Sequence, residues 1–260
     1  MKSFFRMSYP YCLWIGIFIV APMLMIFLYA ITNTGNSTLT FQFTLDNFAR
    51  FFRDPDFIRI LVTSLRIALL TTVVCLLIGY PAALFIANLP DRKQTFMILL
   101  MTLPMWINMV LKTYAWRGIL LNFDFSSEFK VFIGMVYDFL PFMIIQIHTA
   151  IAKLDPNLLI AAHDLGANNV KSFLKVTLPL SVPGIISGIT LVFLPAVSSF
   201  FIPRMLGNGE VILIGNRIEL CFKKTGDWNF GSAISLIMAL VIIISMFVTK
   251  KMEKKTGGEA

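Results

Sequence analysis

The sequence predicts an all-α fold, a polytopic membrane bundle of about six transmembrane helices. Three observations carry this. Of 260 residues, 57% are hydrophobic and only 14% are charged, against roughly a quarter charged in soluble domains. The apolar residues are gathered into long blocks, the pattern of helices that are apolar nearly all round and face lipid. Six such blocks reach the roughly 20 residues that cross a ~30 Å hydrocarbon layer.

The blocks cover residues 11–31, 60–87, 96–116, 131–152, 180–203 and 230–249. The first follows Lys2 and Arg6 and imitates a signal peptide, but it outruns the roughly 7–15 residues of a signal core and no small-x-small site follows it. It reads as a retained membrane helix. The second contains Gly79 and Pro81, which predicts a bend. Pro183 and Pro195 interrupt the fifth, which lipid-buried helices tolerate when neighbours cover the freed carbonyls. All 260 residues read as a single membrane domain, with a connecting loop at 153–179 inside it.

The net charge of +8 does not read as a nucleic-acid footprint, because the basic residues sit in short segments between apolar blocks. Placing Lys2, Arg6, Arg92, Lys93, Lys153, Lys171, Lys175 and the Lys250–Lys255 tail inside puts both termini in the cytoplasm. The excess over the opposite side, which carries Arg50, Arg53, Arg59 and Arg117 among others, is slight. The compact Asp91-Arg92-Lys93 turn and the basic tail weigh more, since the bias acts near span ends. Cys12, Cys75 and Cys221 are odd in number and far apart, with neither disulfide nor zinc spacing; they read as small apolar fillers with one thiol open to solvent.

Two outer segments have local signals. In residues 40–59, Phe48, Phe51 and Phe52 recur at helical spacing after Asp46 and Asn47, either of which suits a helix cap. This predicts an interfacial helix packed against the bundle, a face that could also serve as a docking surface for a partner. Gly207-Asn208-Gly209 predicts a turn, after which the apolar residues 211–214 dip back towards the bundle.

The informative loop lies between the fourth and fifth blocks. Asp155-Pro156 is a helix start, an acceptor at the cap followed by a residue whose missing N–H costs nothing there. The helix runs to about Leu165, and Gly166 supplies a left-handed C-cap. Asn168 or Asn169 caps a second short helix that Pro179 closes. Two short helices with a sharp break predict a protruding knob, and Ala161 and Ala162 keep its surface low enough for another protein to approach.

Ala161-Ala162, then Gly166, then Val176-x-Leu178-Pro179 resembles the EAA loop of ATP-binding-cassette importer permeases. That pattern is Glu-Ala-Ala, three residues, Gly, nine residues, Ile-x-Leu-Pro. Val176 replaces the Ile, and Ile160 stands where the family has Glu, so an ionic contact made by that Glu is absent and apolar docking carries more of the interface. Leu45-Asp46-Asn47-Phe48, Gly79-Tyr80-Pro81-Ala82, Leu103-Pro104-Met105-Trp106, Leu140-Pro141-Phe142 and Leu213-Ile214-Gly215-Asn216 are similar to the spermidine/putrescine permeases of that superfamily, and so is the run from Leu194-Pro195-Ala196 to Asp227-Trp228. These matches cover nearly the whole chain.

The resemblance implies a type I importer permease of MetI-like fold in a bacterial inner membrane. It implies one half of a shared pathway with a second, PotC-like permease, two copies of a PotA-like ATPase docked on the knobs, and a PotD-like extracytoplasmic protein that delivers polyamine. Ile160, Ala161, Ala162, Asp164, Gly166, Val176, Leu178 and Pro179 would meet the ATPase. The chain has no Gly-x-x-x-x-Gly-Lys-Ser/Thr loop, so ATP and Mg²⁺ are expected on the partner ATPase and no cofactor or catalysis on this chain.

A polyamine is a multivalent cation with apolar links, so its pathway wants carboxylates, acceptors and ring faces, and intramembrane polar residues are costly without a use. Asp138 is the candidate anion; Tyr137, Trp106, Asn108, Tyr114, Trp116 and Gln146 are the candidate rings and acceptors. Each also has an ordinary reading, Trp and Tyr as interfacial belt residues and Asp138 as a carboxylate neutralised by Arg117 or Lys112. Arg66 and Lys112 would repel a cation from the path and are expected to snorkel to the outer interface. An intramembrane hydrolase is disfavoured because His148 and His163 have no paired serine motif. A proton-coupled secondary transporter would need no such knob and usually more spans. Within the importer superfamily another small solute remains the alternative substrate.

Overall fold

In lipid every backbone N–H and C=O must be satisfied within the chain, which leaves helices as the default for apolar segments of this length. The computed structural model describes residues 14–33 and 42–256. In chain order the elements are α1 (Gly16–Ala30), a short ladder β1 (Thr32–Asn33) with β2 (Gln42–Phe43), α2 (Asp46–Arg53), α3 (Pro55–Ala87), α4 (Asp91–Trp106), α5 (Met109–Leu120), α6 (Ser127–Ala152) and α7 (Pro156–Asp164). Then come α8 (Asn169–Ser198), α9 (Phe201–Leu206), α10 (Ile214–Leu220) and α11 (Trp228–Thr256).

Among the described residues four helices, α3, α6, α8 and α11, are long and apolar enough to cross a membrane. The third expected span is different. It breaks between Trp106 and Met109 into α4 and α5, which meet at 91°. Ile107 and Asn108 are extended (ψ 137° and 129°), and the Asn108 side chain accepts from the Val110 N–H, capping a new helix rather than continuing the old one. Sixteen residues of α4 extend about 24 Å at ~1.5 Å per residue, short of a ~30 Å crossing. The first apolar segment, α1, is a shorter helix; the expected span began at Tyr11, and residues 11–13 lie outside the described residues.

The chain forms two compact units, residues up to Ile60 with Gly215–Val241, and Leu61–Ile214 with Ile242 onward. In the first, β1 and β2 pair antiparallel with Thr32 opposite Phe43. Asn47 does not cap α2. Its Nδ2 donates to the Ala30 and Thr32 carbonyls, both at 3.0 Å, while the Thr44 hydroxyl accepts from the Asp46 N–H. The buried Asn229 Nδ2 also donates to the Thr32 carbonyl, at 2.8 Å, and to that of Tyr29. Phe51 meets Phe57 at a tilt and Phe57 meets Phe230 edge to face, at 5.8 and 4.8 Å between ring centroids. Arg50 lies over the Phe230 ring and pairs with Asp227. Of the expected aromatic face of α2, Phe51 is buried and Phe52 exposed.

The second unit is built on α6, the most buried of the four long spans, against which α8 packs most extensively. Small residues let the backbones close. A Cβ on Gly184 would overlap the Ala150 methyl and lie 2.8 Å from the Gln146 carbonyl oxygen, the close approach that small residues allow between lipid-buried helices. Tyr80 and Ser181 hydroxyls meet at 2.8 Å in this interior. Pro183 and Pro195 do not interrupt α8, but the helix ends at Ser198 rather than at Pro203, and residues 201–206 form the separate α9. The expected turn is present, with Asn208 at φ +49° and Gly209 at φ +81°. After it the chain returns inward, burying Val211, Leu213 and Ile214 and anchoring the Ile214 N–H on the Ser64 hydroxyl at 2.8 Å.

Candidate coupling knob and intramembrane polar site

The knob begins where the sequence places it. Asp155 accepts from the Asn157 N–H at 2.9 Å, and Pro156 fills the first helical position of α7. Gly166 adopts φ +81°. Two bonds then close the helix end, from the Gly166 N–H to the His163 carbonyl (2.9 Å) and from the Ala167 N–H to the Ala162 carbonyl (3.0 Å). This pair of bonds is the Schellman arrangement, which satisfies carbonyls the helix would otherwise leave open. His163 Nδ1 lies 2.9 Å from the Ala167 carbonyl oxygen and buttresses the same turn.

Asn168 caps the next segment, accepting from the Lys171 N–H at 2.9 Å. Pro179 does not close that helix. The chain passes through a π-type turn over Phe173–Thr177 and continues as the long span to Ser198. In that turn the Leu178 N–H reaches back five residues to the Phe173 carbonyl, and the register change removes the conflict that Pro179 would create inside an unbroken α-helix. The second arm of the knob is therefore rigidly continuous with a membrane-crossing helix.

The knob exposes apolar side chains: Leu158, Ile160, Leu165 (89% accessible), Val170 and Leu174. Ala161 and Asp164 are exposed, Ala162 and Val176 half-buried, Leu178 half-buried and Pro179 exposed.

The intramembrane polar site forms where α5 meets α6. Lys112 Nζ lies 2.5 Å from Asp138 Oδ1, with the two side chains only 10% and 16% accessible. Thr113, Trp116, Gly134 and Tyr137 join the pair around a small crevice, closed by Ile202 and Leu206 of α9. The Trp116 and Tyr137 rings meet edge-on at 5.1 Å. A Cβ on Gly134 would meet the tip of the Leu206 side chain and crowd Ile202, so α9 packs closely on this glycine.

Three of the seven expected pathway residues, Asp138, Tyr137 and Trp116, are brought together. The others stand apart from the crevice. Trp106 is 83% accessible at the α4 break and Tyr114 is exposed. Asn108 is engaged in capping α5. Gln146 lies two turns along α6, against Gly184 and Gly188. Lys112 does not snorkel outward; of the two partners weighed for Asp138, Arg117 and Lys112, it is the one that pairs with the carboxylate. Arg66 does sit at an accessible position, paired with Glu128. No local signal joins Lys112 to Asp138, because they are 26 residues apart on different helices.

Residues 4–257 match the family described as binding-protein-dependent transport system inner membrane component. The chain belongs to this family. It is similar to the spermidine/putrescine transport system permease protein PotB of Salmonella typhimurium (strain SL1344), 35% identical over 94% of this chain and 93% of that protein. It is similar also to PotB of Escherichia coli (strain K12), 35% identical over 90% and 92%. Among solved structures, a bacterial ABC transporter involved in the import of the acidic polysaccharide alginate aligns with a TM-score of 0.77 at 17% identity, covering 98% of this chain and 96% of that one. The MetNI methionine ABC transporter aligns with a TM-score of 0.63 at 14% identity, covering 76% and 95%. The fold is thus that of ABC importer permeases, and the chain is an inner-membrane transport permease homologous to PotB.

Proposed function

We propose that this chain is the PotB-type subunit of an ATP-driven polyamine importer, forming half of the translocation pathway and hydrolysing nothing itself. The observation that carries the reading is the 35% identity to PotB permeases spread over nine-tenths or more of both chains. A second, PotC-like permease completes the pathway, two PotA-like ATPases supply ATP hydrolysis, and a PotD-like protein delivers spermidine or putrescine. The knob is the ATPase contact, and with it in the cytoplasm both termini lie there too. Ile160, Ala161, Ala162, Asp164, Gly166, Val176, Leu178 and Pro179 form that contact. Its apolar side chains suit it, and the continuity of its second arm with α8 gives ATPase closure a stiff lever on the membrane helices. Asp138, Tyr137 and Trp116 line the pathway, with Trp106, Asn108, Tyr114 and Gln146 further along it.

One observation favours a second reading of the substrate. Lys112 neutralises Asp138, so the crevice offers no net negative charge to a cation, which would suit an importer of another small solute. Reconstitution of the chain with its copurifying subunits in vesicles separates the two. Binding-protein-dependent, ATP-driven uptake of labelled spermidine is the expected result. Uptake of a different solute with none of spermidine would overturn the polyamine reading and leave the importer reading standing.

A further inference from the structure

A groove of about 510 Å³ runs between α8 and the second half of α11, walled by Ile186, Leu191, Ile243, Met246 and Phe247 and ending at Lys250. Its volume falls in the range of pockets that hold small molecules. Ser187 adds one hydroxyl to the lining, whereas the threonines on its walls add no free proton. Thr190 donates to the Ile186 carbonyl at 2.9 Å, and Thr249 to those of Ser245 and Met246, so their protons are turned into their own helices. Lys250 is the ionic residue of the lining, and Lys251, Lys254 and Lys255 follow it in sequence. The walls belong to two membrane-crossing helices, so the apolar part lies at hydrocarbon depth and the lysine at the span's end.

An apolar trough with a cationic mouth is complementary to an amphiphile with an anionic head. A protein helix laid over the groove would match the walls only if it also brought a carboxylate to Lys250, since a charge buried without a partner costs several kcal/mol. Basic pockets between membrane helices hold anionic phospholipid headgroups, and each lysine near the surface contributes about 1 kcal/mol. We propose that this groove is a specific site for an anionic phospholipid, one acyl chain lying along Ile186, Ile243 and Phe247 and the headgroup phosphate on Lys250.

The test returns the full chain, with the subunits that copurify, to vesicles of equal phosphatidylcholine and phosphatidylglycerol, re-extracts it in detergent and measures the retained phospholipid by mass spectrometry. Retention of phosphatidylglycerol over phosphatidylcholine is expected. Lys250→Gln should lower that preference about fivefold, the equivalent of ~1 kcal/mol, and Lys250→Arg should keep it. Ile243→Trp, which fills the apolar end and leaves the charge, should release both lipids. Equal retention of the two lipids by the unmodified chain overturns the proposal without any variant, and so does an unchanged preference in Lys250→Gln. Cross-linking of Phe247→Cys to a second polypeptide in native membranes would show instead that protein covers the groove, and overturns it too.

Discussion

Lys112 and Asp138 form an ion pair across the α5–α6 contact, 2.5 Å apart and nearly out of solvent. Two charges at that depth cost several kcal/mol each to desolvate, and their attraction offsets this only while both are present. Lys112→Met alone is therefore expected to destabilise the chain by about 3–5 kcal/mol, read as a fall in the thermal midpoint of the purified protein. Lys112→Met with Asp138→Leu should recover most of it. If Asp138 also serves the pathway, Asp138→Asn lowers polyamine uptake in vesicles by more than its loss of assembled complex. Uptake per assembled complex equal to wild type would remove Asp138 from the pathway.

The knob turn makes a narrower claim. Nothing lies within 4 Å of a Cβ placed on Gly166, yet its φ is +81°, so the obstacle to substitution is the backbone itself. Holding the left-handed region costs a side-chain-bearing residue roughly 1–2 kcal/mol, and Asn bears it better than a β-branched residue. Gly166→Asn should keep copurification with the ATPase and ATP-driven uptake, whereas Gly166→Val should lose one or both. Full activity in Gly166→Val would show that the turn does not position the contact.

Two helical glycines should respond oppositely to alanine. At Gly184 the new methyl meets the Gln146 backbone oxygen at 2.8 Å and overlaps Ala150, and backbone cannot step aside. Overpacking of this kind costs about 1–3 kcal/mol. At Gly118, inside α5, a Cβ meets nothing within 4 Å, and Ala is favoured over Gly in a helix by roughly 1 kcal/mol. Thermal midpoints should fall for Gly184→Ala and hold or rise for Gly118→Ala.

The expectation of an exposed thiol is not met among the described residues, since Cys75 and Cys221 are both buried; Cys12 lies outside them. Burial, then the Asp227 carboxylate, raises the Cys221 thiol above its ordinary pKa. A raised pKa leaves less thiolate at neutral pH, and the thiolate is the reactive form. In a Cys12→Ser background, maleimide should label native protein slowly at neutral pH. The rate should climb only at pH values above those that activate a free thiol, and denaturation should restore fast labelling.

Much of the fold and of the knob was legible along the chain because its signals are local. Apolar length marks the spans, Asp155-Pro156 marks a helix start, and Gly166 marks its end, each acting on backbone a few residues away. The π-type turn before Pro179 escaped such reading, because a proline next to a short helix looks like a stop. Only the register of the following span shows that the chain runs on through it. The broken third span escaped for a related reason. Its apolar count suffices for a crossing, and no composition signal shows that Ile107 and Asn108 turn extended and that the Asn108 side chain, accepting from Val110 N–H, starts a new helix there.

Hydrophobic length and capping chemistry, both properties of short windows, are enough to give this chain its apolar spans and a knob turned at Gly166. Which charges neutralise each other, which glycines are contacts rather than hinges, and where α9 closes over Gly134 depend on helices distant in sequence. Those relationships were decided only when α5, α6, α8 and α9 packed, because a buried charge finds its partner through space and not along the chain.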